Sequence, residues 1–217
     1  MFSMRRHANF IKRFKSVSCL FTASILFPMQ ISAAVSDYDA LVIEARGGNS
    51  APLLRYLEDQ GKKSALTPNQ VADWLQVSSW VENNDKTTIE IWQRYRGQMD
   101  VPARGKVAAA RAYRNQKNWN DSLAVWESVL QQEPDNVDVR TGWIMTLADA
   151  RYNQQALTEA NKWAQAHPGA DSDALLAYVY HSQGKNWDAL LVASQAADVD
   201  PGNKNAKSTL LSALSAN

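Results

Sequence analysis

The chain has 217 residues, 45% of them hydrophobic, which is enough apolar content to bury a core. Its 23 Lys and Arg nearly balance 22 Asp and Glu, for a formal charge of +1. One cysteine excludes an intrachain disulfide framework, and the three histidines (His7, His167 and His181) lack the spacing of a metal motif.

Residues 1–34 read as an export signal. Arg5, Arg6, Lys12, Arg13 and Lys15 form a basic start, residues 17–29 are mostly apolar, and Ser32, Ala33 and Ala34 offer a cleavage site. The apolar stretch is short for a membrane-spanning helix, so an uncleaved anchor is the weaker alternative. Cys19 lies at the front of that stretch, the wrong place for a lipidated cysteine. Cleavage removes five basic residues and no acidic ones, leaving 18 against 22 and a net charge of −4. That acidity speaks against a nucleic-acid partner and favours a cationic one.

Next, residues 37–46, the turn Gly47-Gly48-Asn49 and a helix around residues 53–58 suggest a degenerate helix pair. Thr67-Pro68-Asn69-Gln70 is a capping box with proline at the first helical position. Trp74, Leu75, Val77 and Val81, then Ile89, Trp92 and Tyr95, predict a second pair ending before Pro102.

From there the chain is punctuated by Pro102, Pro134, Pro168 and Pro201, at intervals of 32, 34 and 33 residues. Proline lacks an amide donor and clashes with the preceding turn, so each one stops a helix. Between Pro102 and Pro134, a helix over about residues 103–116 carries Ala109, Ala110 and Tyr113. A second carries Ser122, Leu123, Trp126, Val129 and Leu130 on one face. The next intervals repeat this grammar, with Trp143, Ile144, Leu147, Ala156 and Trp163, then Ala177, Tyr180, Ala189, Ala193 and Ala196.

A period near 34 residues with two helices and a closing proline marks a tetratricopeptide repeat. The expected fold is all-α, a right-handed solenoid of antiparallel helix pairs. Its units fall at about 36–66, 67–102, 103–136, 137–169 and 170–203, and residues 204–217 form a half-repeat or cap. Leu210, Leu211 and Leu214 mark that last helix, and Lys204, Lys207, Ser208 and Ser212 give it a polar side.

In such a solenoid the first helix of each unit lines the inner groove. The register directs Glu82, Arg111, Arg114, Asn115, Asp138, Asp149, Asp171, Tyr178 and His181 there, as candidates for ligand or partner contact. An ordinary solvated helix face is the competing reading. Arg111 and Arg114 share a face and are placed to pair with Asp149 of the next unit, which would be a structural role. Of the eight tryptophans, Trp126, Trp143 and Trp163 fall at core positions, and Trp119 and Trp187 at helix turns. Tyr178 is the better candidate for stacking on a sugar ring.

No catalytic cluster, phosphate loop or cofactor motif is present; Gly47-Gly48 precedes Asn49-Ser50-Ala51 rather than a lysine. The expectation is a binding protein with no enzymatic role, no cofactor and no metal.

Several words of the chain resemble a known family. They are Tyr38-Asp39-Ala40-Leu41-Val42-Ile43-Glu44-Ala45-Arg46 with Gly48-Asn49, and Ala72-Asp73-Trp74-Leu75-Gln76. Further on come Pro102-Ala103-Arg104-Gly105, Ala112-Tyr113-Arg114-Asn115 and Thr146-Leu147-Ala148-Asp149-Ala150. In this order and spacing the chain resembles the N-terminal periplasmic region of the poly-β-1,6-N-acetyl-D-glucosamine export porins. The likeness covers residues 37–153 well, and beyond that it is general repeat grammar.

The resemblance implies a periplasmic setting at the outer membrane, in the export of a biofilm polysaccharide. It implies two partners, a polysaccharide deacetylase and the partly deacetylated, cationic glucosamine polymer. An acidic groove containing Asp138, Asp149 and Asp171 suits that polymer, although Arg111 and Arg114 share the surface. The family's C-terminal β-barrel has no counterpart here, since no alternating strand segment follows Pro201. An N-terminal piece of an exporter, a truncated product and a free-standing periplasmic adaptor for an unrelated protein or peptide all fit.

Overall fold

The computed structural model describes residues 37–216; the signal-peptide reading, with His7 and Cys19, lies outside them. The described residues form eleven α-helices and no strand. The first pair is α1 (Asp37–Arg46) with α2 (Ala51–Lys63), and the second is α3 (Pro68–Ser78) with α4 (Asp85–Tyr95). Then come α5 (Ala103–Asn115) with α6 (Trp119–Leu130), and α7 (Val137–Asp149) with α8 (Asn153–Ala166). The last pair is α9 (Ala170–Ser182) with α10 (Asn186–Val199), followed by α11 (Lys204–Ser215). Each helix packs on the next, and from α3 onward each first helix also touches the first helix of the following pair.

A turn residue with positive φ recurs between the helices of each pair: Gly48, Asn83, Lys117, Arg151 and Gly184. Their spacing is the repeat period itself. At Lys117, for example, the chain closes with Asn118 N–H donating to Tyr113 O at 2.9 Å and Lys117 N–H to Arg114 O at 2.9 Å. This is the Schellman ending, which satisfies carbonyls at the helix C-terminus. The expected capping box is present: Thr67 Oγ1 accepts from Gln70 N–H at 3.2 Å, and Gln70 Oε1 accepts from Thr67 N–H at 2.9 Å.

Small residues at the crossings let the helices approach closely. A Cβ on Gly105 would lie 2.8 Å from the Ala72 Cα, and one on Gly142 would lie 2.5 Å from the Trp126 ring. Trp126 is fully buried, and its indole N–H donates to Thr146 Oγ1 at 3.1 Å. Ser122 Oγ donates to Ala110 O at 2.8 Å and lies 3.5 Å from the same threonine hydroxyl. A polar pair inside an apolar core is thereby satisfied. Trp143 and Trp163 are also core residues, as are Ala156, Ala189, Ala193 and Ala196.

Two local expectations change, and the packing of the last helix is defined. The helix α2 runs to Lys63 instead of ending near Glu58, because Gly61 is a packing residue inside it. Its Cβ position lies 3.1 Å from the Tyr95 hydroxyl, so the glycine admits a neighbour and does not end the helix. Helix α3 stops at Ser78, so Val81 and Glu82 lie in the following turn. Finally, α11 packs on α9 and α10 through Ala206, Thr209 and Ala213, while Leu211 and Leu214 are exposed. Asn203 caps this helix by accepting from Ala206 N–H at 2.9 Å.

Candidate functional site

The surface built from the first helices is held by two matching networks. In one, Arg114 of α5 donates through Nε to Asp149 of α7 at 2.7 Å and through a terminal nitrogen to the Tyr178 hydroxyl of α9 at 2.9 Å. The Tyr178 hydroxyl donates to the other Asp149 oxygen. The guanidinium also lies 5.8 Å from the Tyr178 ring centre. In the other, Arg104 donates to Asp73 at 3.1 Å and to Asn69, and Tyr38 donates to the second Asp73 oxygen at 2.7 Å.

Each network is an Arg–Asp–Tyr set drawn from three successive first helices. The order is Tyr38 on α1, Asp73 on α3 and Arg104 on α5, then Arg114 on α5, Asp149 on α7 and Tyr178 on α9. Helix α5 supplies both arginines, one near each end. In both, one partly buried carboxylate accepts from a guanidinium and from a phenol, which makes a strong, directional lock. Burial, and then the hydrogen bond to Asp149, push the Tyr178 phenol up to about 12. Burial, and then the bond to Asp73, push Tyr38 well above its usual value.

Two cavities open on this surface. One, between α7, α9 and α11, is lined by Thr141, Met145, Asp171, Ala174, Leu175, Tyr178, Asn205, Ser208 and Thr209. The other lies between α3, its following turn, the start of α4 and α5. Its lining includes Gln76, Trp80, Asp85, Arg104, Val107, Arg111 and Asn115.

The nine residues expected in the groove therefore separate. Arg114, Asp149 and Tyr178 meet in one network, so the expected pairing with Asp149 is made by Arg114. Arg111 makes no ion pair among the described residues and lines the α3–α5 cavity with Asn115, whose amide donates to Asp85 at 3.1 Å. Asp171 lines the other cavity and accepts from Asn203 at 2.7 Å. Asp138 is exposed in the first turn of α7. Glu82 sits in a turn, and His181 pairs with Asn186 at 3.1 Å near the α9–α10 turn.

Tyr178 has its hydroxyl bonded on two sides and a guanidinium beside its ring, an arrangement of a structural lock more than of a stacking platform. Trp80, 47% exposed, is the aromatic that lines the α3–α5 cavity. Sequence reasoning missed Tyr38, Asp73, Arg104 and Trp80. Asp73 and Arg104 lie within quoted family words, yet nothing in a single sequence pairs residues 31 positions apart. Among the described residues no group of three or more His, Cys, Asp or Glu is placed to hold a metal. No described helix is long and apolar enough to cross a membrane.

Both the helix pairing and the sequence have counterparts in known proteins. A tetratricopeptide repeat protein from Parabacteroides merdae superposes with a TM-score of 0.57, covering 84% of this chain and 73% of that one, at 13% identity. The fold is a tetratricopeptide-repeat solenoid. No family model matches the chain. Over 176 residues, 79% of this chain, it is 44% identical to the poly-β-1,6-N-acetyl-D-glucosamine export protein of Escherichia coli K12. The same identity holds for the protein of Escherichia coli O157:H7. The chain is related in sequence to that export protein. It spans about a fifth of the length of these relatives, 21%. The relationship extends over more of the chain than the stretch 37–153 carrying the recognised words.

Proposed function

We propose that this chain is a periplasmic tetratricopeptide-repeat scaffold in the export of poly-β-1,6-N-acetyl-D-glucosamine. It works by binding, with no enzymatic step, and its contact surface is built by the first helices. The observation that carries the reading is the 44% identity to the export protein across most of the chain. The partners are the partly deacetylated polymer and the deacetylase that produces it.

The electrostatics refine how the polymer would be held. Asp149 and Asp73 are each committed to an arginine, so neither supplies a free negative charge to the groove. Asp138 and Asp171 carry no ion pair among the described residues, and they are carboxylates of this surface available to a cationic sugar.

Calorimetric titration of the chain with β-1,6-linked glucosamine oligomers, acetylated and deacetylated, tests the polymer part. Saturable heat with either supports it, and silence with both removes it. Capture of the deacetylase from a periplasmic extract tests the protein part. Recovery of an unrelated assembly factor without deacetylase would turn the reading to a free-standing adaptor.

A further inference from the structure

We propose that the cavity between the α3–α4 turn and α5 is a subsite for one neutral, N-acetylated hexosamine unit, with Trp80 as its stacking platform. The inference rests on the polymer reading above and assigns one part of that polymer to one place.

Trp80 is 47% exposed although it is a large indole in a chain that buries most of its other tryptophans. It follows the C-terminal end of α3 and lines a cavity with Gln76, Asp85, Arg111 and Asn115. A pyranose ring presents a face of C–H groups, and burying that face on an indole removes apolar area from water on both sides. Its rim presents hydroxyls and the acetamido group, which need planar donors and acceptors. Gln76 and Asn115 offer amides, Asp85 a carboxylate and Arg111 a guanidinium with no ion pair among the described residues. The Asn115 amide already holds Asp85 at 3.1 Å, so two of these groups are positioned before a ligand arrives. Val107 and Ala108 supply an apolar wall for the acetyl methyl.

Charge selects the form of the sugar. The Arg104 guanidinium at this cavity is compensated by Asp73 at 3.0 Å, which leaves Arg111 and Asp85 as a balanced pair of charges. A glucosammonium ion would gain no net attraction from this balanced pair and would lose hydration on entering, whereas a neutral acetamido group loses less and can accept from the Arg111 guanidinium and donate to the Asp85 carboxylate. The cavity therefore selects the acetylated units of a mixed polymer.

The test is nitrogen-15 NMR of the indole resonances of the full chain, with Trp80 assigned through Trp80→Phe. A β-1,6-linked N-acetylglucosamine trimer should shift the Trp80 resonance saturably, and its deacetylated counterpart should shift it far less. Trp80→Ala and, separately, Asn115→Ala should each weaken trimer binding by about tenfold or more, with the thermal melt unchanged. Two results overturn the subsite while leaving the polymer reading intact: binding by calorimetry with a silent Trp80, or equal shifts from both trimers. If no oligomer of any acetylation binds, the subsite and the polymer reading fall together.

Discussion

Asp149 accepts a 2.7 Å hydrogen bond from Arg114, 35 residues earlier in the chain, and the contact ties α5 to α7 one repeat away. Both side chains are about one-fifth exposed, so the pair is partly desolvated. Removing one partner leaves a charge without compensation in that setting. Arg114→Ala should therefore destabilise the solenoid by about 1–3 kcal/mol, and Asp149→Ala by a similar amount. The double variant should lose less than the two together, with a coupling of about 1 kcal/mol or more by urea unfolding. Strict additivity would show the contact to be energetically idle.

The glycines at the crossings give a steric prediction. Gly142→Ala places a methyl group into the Trp126 ring, and Gly105→Ala drives one against the Ala72 backbone. Neither neighbour is the free end of a flexible side chain. Each substitution should cost about 1–3 kcal/mol by overpacking. Gly97→Ala, where nothing lies within 4 Å of the added carbon, should stay within about 0.5 kcal/mol of the parent in the same urea titration.

Gly184 makes a different demand. Its φ is 75°, with no atom within 4 Å of an added Cβ, so the only penalty for a side chain is conformational. Gly184→Ala should cost about 1 kcal/mol. A neutral result in thermal unfolding would mean the α9–α10 turn relaxes out of the left-handed region.

Much of this architecture was legible in the sequence. Proline stops, a capping box and small residues at fixed intervals are local signals, and the helices follow them closely. The core tryptophans were legible for the same reason, since Trp126, Trp143 and Trp163 fall on the apolar faces of their helices. The tertiary locks were only partly so. Arg114 and Asp149 were foreseen because the register puts them on adjacent first helices. Asp73 and Arg104 were not, because periodicity identifies a face and does not identify which charges on it meet. Glu82 was misplaced by one unread helix end: α3 stops at Ser78, and five residues later the backbone turns left-handed at Asn83. At the last helix the sequence did not decide what the leucines pack on; the contact with α9 and α10 is made through Ala206, Thr209 and Ala213.

Alkaline pH offers a check on the tyrosine locks. Burial and the Asp149 bond raise the Tyr178 phenol to about 12, against a usual value near 10 in the unfolded chain. The unfolded state thus loses its proton first, and the folded state holds more protons between those values. The stability from this group is complete below about pH 10 and is lost as pH rises toward about 12. Tyr178→Phe should flatten that part of the alkaline stability profile, and ultraviolet difference absorbance should show one fewer late-ionising phenol. An unchanged profile would mean the phenol is not held as described.

The central claim is that the first helices form the surface that meets the exported polymer. Hydrogen–deuterium exchange of the chain with and without a partly deacetylated β-1,6-glucosamine oligomer tests it most directly. The account predicts slowed exchange in the C-terminal part of α3 with its following turn, in α5, α7 and α9, and little change in α6, α8 and α10. Protection confined to the second helices, or no protection at saturating oligomer, would contradict it.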